Sequence, residues 1–262
     1  MSDEPASEVR LRGAGLHVAR GAKAIVRGVD LEARAGEVLA VVGPSGAGKS
    51  TLFRALVGEL PAERGRVLLS PAASPRGVPL VDVSAWPLWQ RSREGLGYVP
   101  QNPSVLWNLT VRGNLSTFHR IVHGQEGDAE RDAARVDLAS RLDVQAGELS
   151  AGERRRLELA RALVRPPRVL VCDEPFAGVD PAGSARIAEL LRDLALTGVA
   201  IVLADHHVAE ALALATRAML LLDGEVAVSA DPAEFVEHPL VRGRYLGTWT
   251  RTIPPPTPRA LP

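Results

Sequence analysis

Nine consecutive residues, Gly43 to Thr51, read GPSGAGKST and satisfy the pattern G-x-x-x-x-G-K-[ST]. Gly43, Gly46 and Gly48 let the backbone wrap closely around phosphate oxygens, with Pro44, Ser45 and Ala47 between them. A helix starting near Lys49 turns unpaired N–H groups toward negative charge. Lys49 is therefore expected to reach the β and γ phosphates of a nucleoside triphosphate, and Thr51 completes the loop. The Ser50 hydroxyl is expected on Mg²⁺, a hard cation that takes oxygen ligands and keeps several waters. The flanks suit the motif: apolar EVLAVV precedes it and helix-period TLFRALVGEL follows.

A second chemical pair lies in RVLVCDEP, Arg168 to Pro175. Four apolar residues suit a strand buried on both faces, and the two carboxylates fall where that strand leaves the sheet. Ligands bind at that end of open α/β sheets. Asp173 is expected to hold Mg²⁺ through water, and Glu174 to orient and deprotonate the water that attacks the γ phosphate. Cys172 reads as a small buried apolar residue, since no charged neighbour is placed to lower its pKa.

From Glu37 onward, apolar runs of strand length alternate with helix-period segments, which predicts an α/β domain with a largely parallel sheet. The strands expected are Glu37 to Val42, Leu96 to Val99, Arg168 to Cys172, Val199 to Ala204 and Arg217 to Leu222. Asp223 and Gly224 separate the last from Glu225 to Val228, the two-residue spacing of a hairpin. Ser70 to Val81 reads as a loop and Gly124 to Asp128 as a break between helices. The fold is expected to end after Trp249, with Ile253 to Pro262 a Pro-rich extended tail.

Composition narrows the function classes. With 46% hydrophobic and 24% charged residues the chain can bury a proper core, so disorder is expected only locally. Lys plus Arg equals Asp plus Glu at 31 each, so no overall field draws the molecule to nucleic acid or an anionic membrane. No apolar run approaches the roughly 20 residues a bilayer span needs. Membrane association is therefore expected only through partners. The acidic start MSDEPASEVR is unlike a secretory signal, and a lone cysteine suits a reducing cytosol.

Upstream of the acid pair, ELSAGERRRLELARALV opens with Ser150 and Glu153 spaced as a capping box. LSAGE ahead of VLVCDEP and behind the phosphate loop resembles the signature of the ATP-binding cassette (ABC) ATPases, over nearly the whole chain. Gln101 in YVPQNP is similar to that family's Q-loop, Gly178 to Asp180 in FAGVD to its D-loop, and His206 after VAIVLAD to its switch histidine. His207 competes for that role; His206 is preferred because it directly follows Asp205, while His207 reads as the start of an exposed helix. The resemblance implies a nucleotide-binding domain over residues 1–250, with a RecA-like parallel core, an antiparallel β subdomain and a helical subdomain over about 102–165. It implies ATP and Mg²⁺ as cofactors, with Gln101 contacting the metal. It also implies a head-to-tail homodimer in which Ser150, Ala151, Gly152 and Glu153 close over the partner's nucleotide.

Three positions depart from the family pattern. Ala151 replaces a glycine, and its methyl narrows the room near phosphate. Arg20 stands where many relatives place an aromatic residue on the base; a guanidinium also stacks on a base, which leaves ATP and GTP both open. The stretch before the signature looks short, and Ser70 to Val81 looks like an insertion. Within the family, GLGYVPQNPSVLWNLTVRGNL, CDEPFAGVDP, ADHHVAEAL and the late RYLG are most similar to the branch that powers lipopolysaccharide export, with branched-chain amino-acid importers next. That branch implies two membrane permease subunits, docking near Leu106, Trp107 and Leu109, and a place on the cytoplasmic face of the inner membrane. The three apolar residues read equally well as helical-subdomain core. A soluble ABC ATPase acting on DNA or the ribosome is disfavoured by the neutral charge and the lack of heptads and zinc-spaced cysteines.

Overall fold

A computed structural model of the chain describes residues 8–71 and 79–247. The expected Pro-rich tail and most of the expected 70–81 insertion lie outside the described residues. Two twelve-residue strands come first, β1 (Val9–Arg20) and β2 (Lys23–Arg34), paired antiparallel. Then follow β3 (Val38–Val42), α1 (Lys49–Val57), β4 (Arg64–Leu69), the two-residue β5 (Val81–Asp82), α2 (Leu88–Arg93) and β6 (Leu96–Val99). Helices α3 (Val111–His123), α4 (Ala129–Arg135) and α5 (Ala151–Leu163) come before β7 (Val169–Asp173). The remainder alternates α6 (Pro181–Leu196), β8 (Ala200–Ala204), α7 (Val208–Leu214), β9 (Arg217–Leu222) and β10 (Glu225–Ala230), then α8 (Pro232–Glu237) and a last turn through Leu246.

Ten strands make two sheets among the described residues. One is four-stranded and antiparallel, in the order β2-β1-β4-β5; the other is six-stranded, in the order β10-β9-β3-β8-β7-β6. Within the larger sheet the pairs from β9 through β6 are parallel, and β10 adds antiparallel at the edge. The five strands expected from sequence are present to within a residue at their ends. The β9–β10 hairpin turns on Asp223 and Gly224, both at positive φ (48° and 83°).

Strand alternation divides the interior. In β3, Leu39 and Val41 join one core while Val38 and Ala40 join another; in β7, Val169 and Val171 oppose Leu170 and Cys172. The first core is shared with α1 and the antiparallel sheet, the second with α6. Being covered on both faces explains why all five residues of β3, β7 and β8 are buried and why these strands read as apolar runs. Helices α3, α4 and α5 gather a third core of their own, including Val111, Leu115, Ala133 and Leu157. Leu106, Trp107 and Leu109 are not in it: they are exposed, which corrects the reading of these three as subdomain core.

The far end of α1 is pinned by a residue whose importance is invisible in sequence. The Arg91 guanidinium, 2% exposed, donates to the carbonyls of Ala55 and Leu56 in the last turn of α1 (2.9 and 2.6 Å), and to those of Ser84 and Trp86 (3.0 and 2.9 Å). The helix ends at Gly58, φ 85°, where a side chain would collide with the Trp86 carbonyl and the Arg91 guanidinium. Among the described residues no helix is long and apolar enough to cross a membrane.

Candidate functional site

Parallel register brings the chemistry to one edge. Ala40 pairs with Leu203, and Asp173 pairs with Ala204, so β3, β8 and β7 end together. The loop Gly43–Gly48 leaves β3 there, Asp173 and Glu174 leave β7, and Asp205 with His206 leaves β8.

The phosphate loop depends on glycine for two physical reasons. At Gly43, φ 156°, an added Cβ would lie 2.2 Å from the Leu221 carbonyl oxygen; at Gly48, φ 107°, it would lie 3.0 Å from that of Ile25. Only a residue without Cβ lets the loop run between β9 and β2. Gly48 is also the N-cap of α1 and offers no capping side chain, so the first N–H groups of that helix face the loop unpaired by any side chain. The Lys49 ammonium donates to the carbonyls of Gly43 and Pro44 (2.7 and 3.1 Å). Burial lowers its pKa, against the opposing pull of Glu174 and Asp173. Phosphate oxygens would offer this buried cation a better partner than two carbonyls. Lys49→Ala is accordingly expected to weaken ATP binding at least about tenfold, and titration with a fluorescent ATP analogue reads it. Unaltered affinity would remove the loop from nucleotide binding.

Beside the loop, the Ser50 hydroxyl donates to Asp173 Oδ1 at 3.3 Å. Asp173 is buried, which raises its pKa, while the Ser50 hydrogen bond acts the other way. A hydroxyl and a buried carboxylate converging in this way are donors of the kind Mg²⁺ takes together with substrate phosphates. No group of three or more His, Cys, Asp or Glu side chains suited to a metal occurs among the described residues, as expected of a cation held partly by its substrate. Cys172 is fully buried, and burial pushes its thiol up to about 12, consistent with an inert core residue.

Glu174 is the most constrained group in the site. Its φ is 55°, a left-handed conformation uncommon outside glycine and costly for a long side chain. Three contacts hold it: its N–H donates to the Ala204 carbonyl (2.7 Å), Arg155 Nη2 donates to its own carbonyl (2.7 Å), and the Gln101 amide donates to its Oε1 (2.9 Å). His206 Nε2 lies 2.9 Å from that same oxygen. Gln101, Glu174 and His206, widely separated in sequence, thus meet at one carboxylate atom. His207 goes elsewhere: it begins α7 and binds Asp205 through both its backbone N–H and its ring Nδ1, each at 2.8 Å.

Two residues that build this geometry have no motif to announce them. Asp205 is wholly buried and also accepts from the Phe176 N–H (2.8 Å), tying the histidine loop to the segment after the acid pair. Arg155, within the run GERRR, donates to the carbonyls of Pro100 (2.6 Å) and Asp173 (2.5 Å) and to Glu158 (2.7 Å), besides Glu174. It therefore binds the approach to Gln101, the end of β7 and α5 into one unit. Three adjacent arginines were the only signal, and an amphipathic helix also accounts for them.

Ser150 caps α5 as the capping box requires: its hydroxyl accepts from the Glu153 N–H at 3.2 Å, and Glu153 accepts from the Ser150 N–H at 2.9 Å. Ala151 starts the helix, and Gly152 packs so close to the D-loop that a Cβ would lie 3.1 Å from Val179 Cγ1 and 3.6 Å from Asp180 Oδ2. Asp180 itself caps α6. Among the described residues no hydrogen bond or ion pair joins Ser150–Glu153 to the phosphate loop of the same chain. Arg20 ends β1 at the tip of the β1–β2 hairpin, fully exposed, opposite Lys23.

With that geometry in hand, comparison with known proteins gives a consistent result. The sequence model of the ABC transporter family matches residues 26–177. The lipopolysaccharide export system ATP-binding protein LptB of Acidithiobacillus ferridurans is 38% identical over 229 residues, covering 86% of this chain and 91% of that protein. LptB of Escherichia coli K12 is 34% identical, covering 85% and 91%. In fold, the chain is similar to the ADP conformation of an ATP-binding cassette of an ABC transporter, with a TM-score of 0.79 and 24% identity, covering 92% of this chain and 100% of that one.

Proposed function

We propose, starting from the fact that this chain belongs to the ABC transporter family as one of its ATP-hydrolysing subunits, that it works as a homodimer powering lipopolysaccharide export through two membrane subunits. The observation that carries the chemistry is the Glu174 carboxylate, held at one oxygen by Gln101 and His206 beside the Ser50–Asp173 pair. In this reading Glu174 takes the proton of the attacking water, His206 and Gln101 orient water and γ phosphate, and Lys49 with the loop N–H groups holds the phosphates. Ser50, Asp173 and Gln101 would hold Mg²⁺, whose charge offsets that of the phosphates. Because hydrolysis needs charge stabilisation from all sides, the capped start of α5, Ser150 to Glu153, is assigned to the nucleotide of the partner copy. Asp180 lies at the same contact, and Arg20 is assigned to the base.

Residues 1–250 form one ATPase domain in this proposal, with 102–165 as its helical subdomain. The patch Leu106, Trp107 and Leu109 receives the membrane subunits; three exposed apolar side chains in one loop favour a protein partner. The cargo follows from the printed function of the LptB relatives. The chain then sits on the cytoplasmic face of the inner membrane, held there by partners alone. Purifying the tagged full-length chain from its own membranes in mild detergent tests the reading. Recovery of two polytopic membrane proteins together with lipopolysaccharide is expected. Recovery of an amino-acid permease pair, or of ribosomes or DNA, would sink the export assignment.

A further inference from the structure

The loop that carries the exposed patch and the turn that carries the signature are bonded to each other. The Ala146 N–H donates to the Leu109 carbonyl (2.9 Å) and the Gly147 N–H to that of Trp107 (3.0 Å), while Thr110 and Gln145 form an antiparallel bridge. Four residues separate Ala146 from Ser150, so a shift of the 107–110 segment is passed straight to the start of α5.

A side-chain contact closes the same loop from the other side. The Arg154 guanidinium sits over the Trp107 ring, 5.4 Å from its centroid, within cation–π range. The same guanidinium donates to the Leu149 carbonyl, immediately before Ser150. Trp107 is 47% exposed, so one face of its ring meets solvent while the other holds Arg154. Neither residue touches the phosphate loop or Glu174 in the hydrogen-bond or ion-pair network. A tryptophan left half in water is not needed for the core of α3–α5, which excludes it.

We propose that Trp107 and Arg154 form one positioning unit for the turn Leu149–Gly152, setting how readily that turn closes over the nucleotide of a second copy of the chain. The unit also reports the state of the patch, because anything that displaces the Trp107 ring releases Arg154 from its cation–π contact and loosens its hold on Leu149. The inference rests on the reading that Ser150 and Gly152 act on the partner's nucleotide.

The test uses the full chain carrying Glu174→Gln, with ATP-driven dimerisation followed by sedimentation velocity. Trp107→Ala and Arg154→Met are each expected to weaken the dimer at least about fivefold, since two copies of the contact enter every dimer. The double variant is expected to add nothing further, because both substitutions break one contact. Trp107→Phe, which keeps an aromatic face, is expected to stay within about twofold of the parent. Binding of a fluorescent ATP analogue to the monomer is expected to be equal in all, a readout that general unfolding would not spare. Unchanged dimerisation in the single variants, or fully additive effects in the double, overturns the proposal alone. A parent that stays monomeric with ATP overturns the proposal and the in-trans reading together.

Discussion

Glu174→Gln is expected to lower steady-state ATP hydrolysis at least about a hundredfold, with ATP binding retained and an ATP-bound dimer accumulating. Glutamine is nearly isosteric and keeps a carbonyl oxygen for the Gln101 amide and His206 Nε2, both 2.9 Å from Glu174 Oε1. It also carries the same left-handed backbone cost at φ 55°, so the Arg155 and Ala204 contacts that hold the main chain are untouched. What it removes is the ability to accept a proton from water. Loss of turnover without loss of fold or nucleotide affinity would then isolate that one function. Phosphate release at saturating ATP measures the first quantity and size-exclusion chromatography with ATP the second. Unchanged turnover would take the role of base away from Glu174.

Arg91→Met is expected to destabilise the fold by about 3–5 kcal/mol without touching any group at the phosphate loop. Methionine supplies a similar apolar stem but no donors, so four carbonyls lose the Arg91 guanidinium as a partner. Buried acceptors left unsatisfied cost about 1–3 kcal/mol each, tempered here because Ala55 also receives the Gly58 N–H at 3.2 Å. Two of the four belong to the end of α1, the helix whose other end faces the phosphates. The melting temperature should fall by about 10 °C for a domain of this size. ATP is expected to recover part of the loss, because it binds only the folded chain. A loss below about 1 kcal/mol would mean that the carbonyls find other partners when Arg91 is removed.

Much of the site was legible in the sequence, for a reason rooted in local geometry. The phosphate loop, the acid pair and the capped signature helix each depend on a few consecutive residues adopting one backbone path. The glycines at 43 and 48, Ser150 with Glu153, and the Asp223–Gly224 turn carry that information in residue type alone. Strands buried on both faces were visible as apolar runs for the same reason. By contrast, β1, β2 and β4 escaped notice as strands. They pair with several shifts of register between β1 and β2, carry glycines and charges, and present one face to water, which blurs their alternation.

The sequence by itself therefore determined that phosphate is gripped at Gly43 to Thr51 and that two carboxylates stand at a strand end. Tertiary structure decided how those carboxylates are used. Only the pairing of β3, β8 and β7 in register brings Gln101 and His206 to one oxygen of Glu174. Only packing shows that Arg155, Arg91 and Asp205 hold the site and its helix in place, and that Trp107 lies at the surface rather than in a core. Such roles rest on contacts between residues distant in the chain, and a side chain's type and neighbours do not encode which carbonyls it will meet.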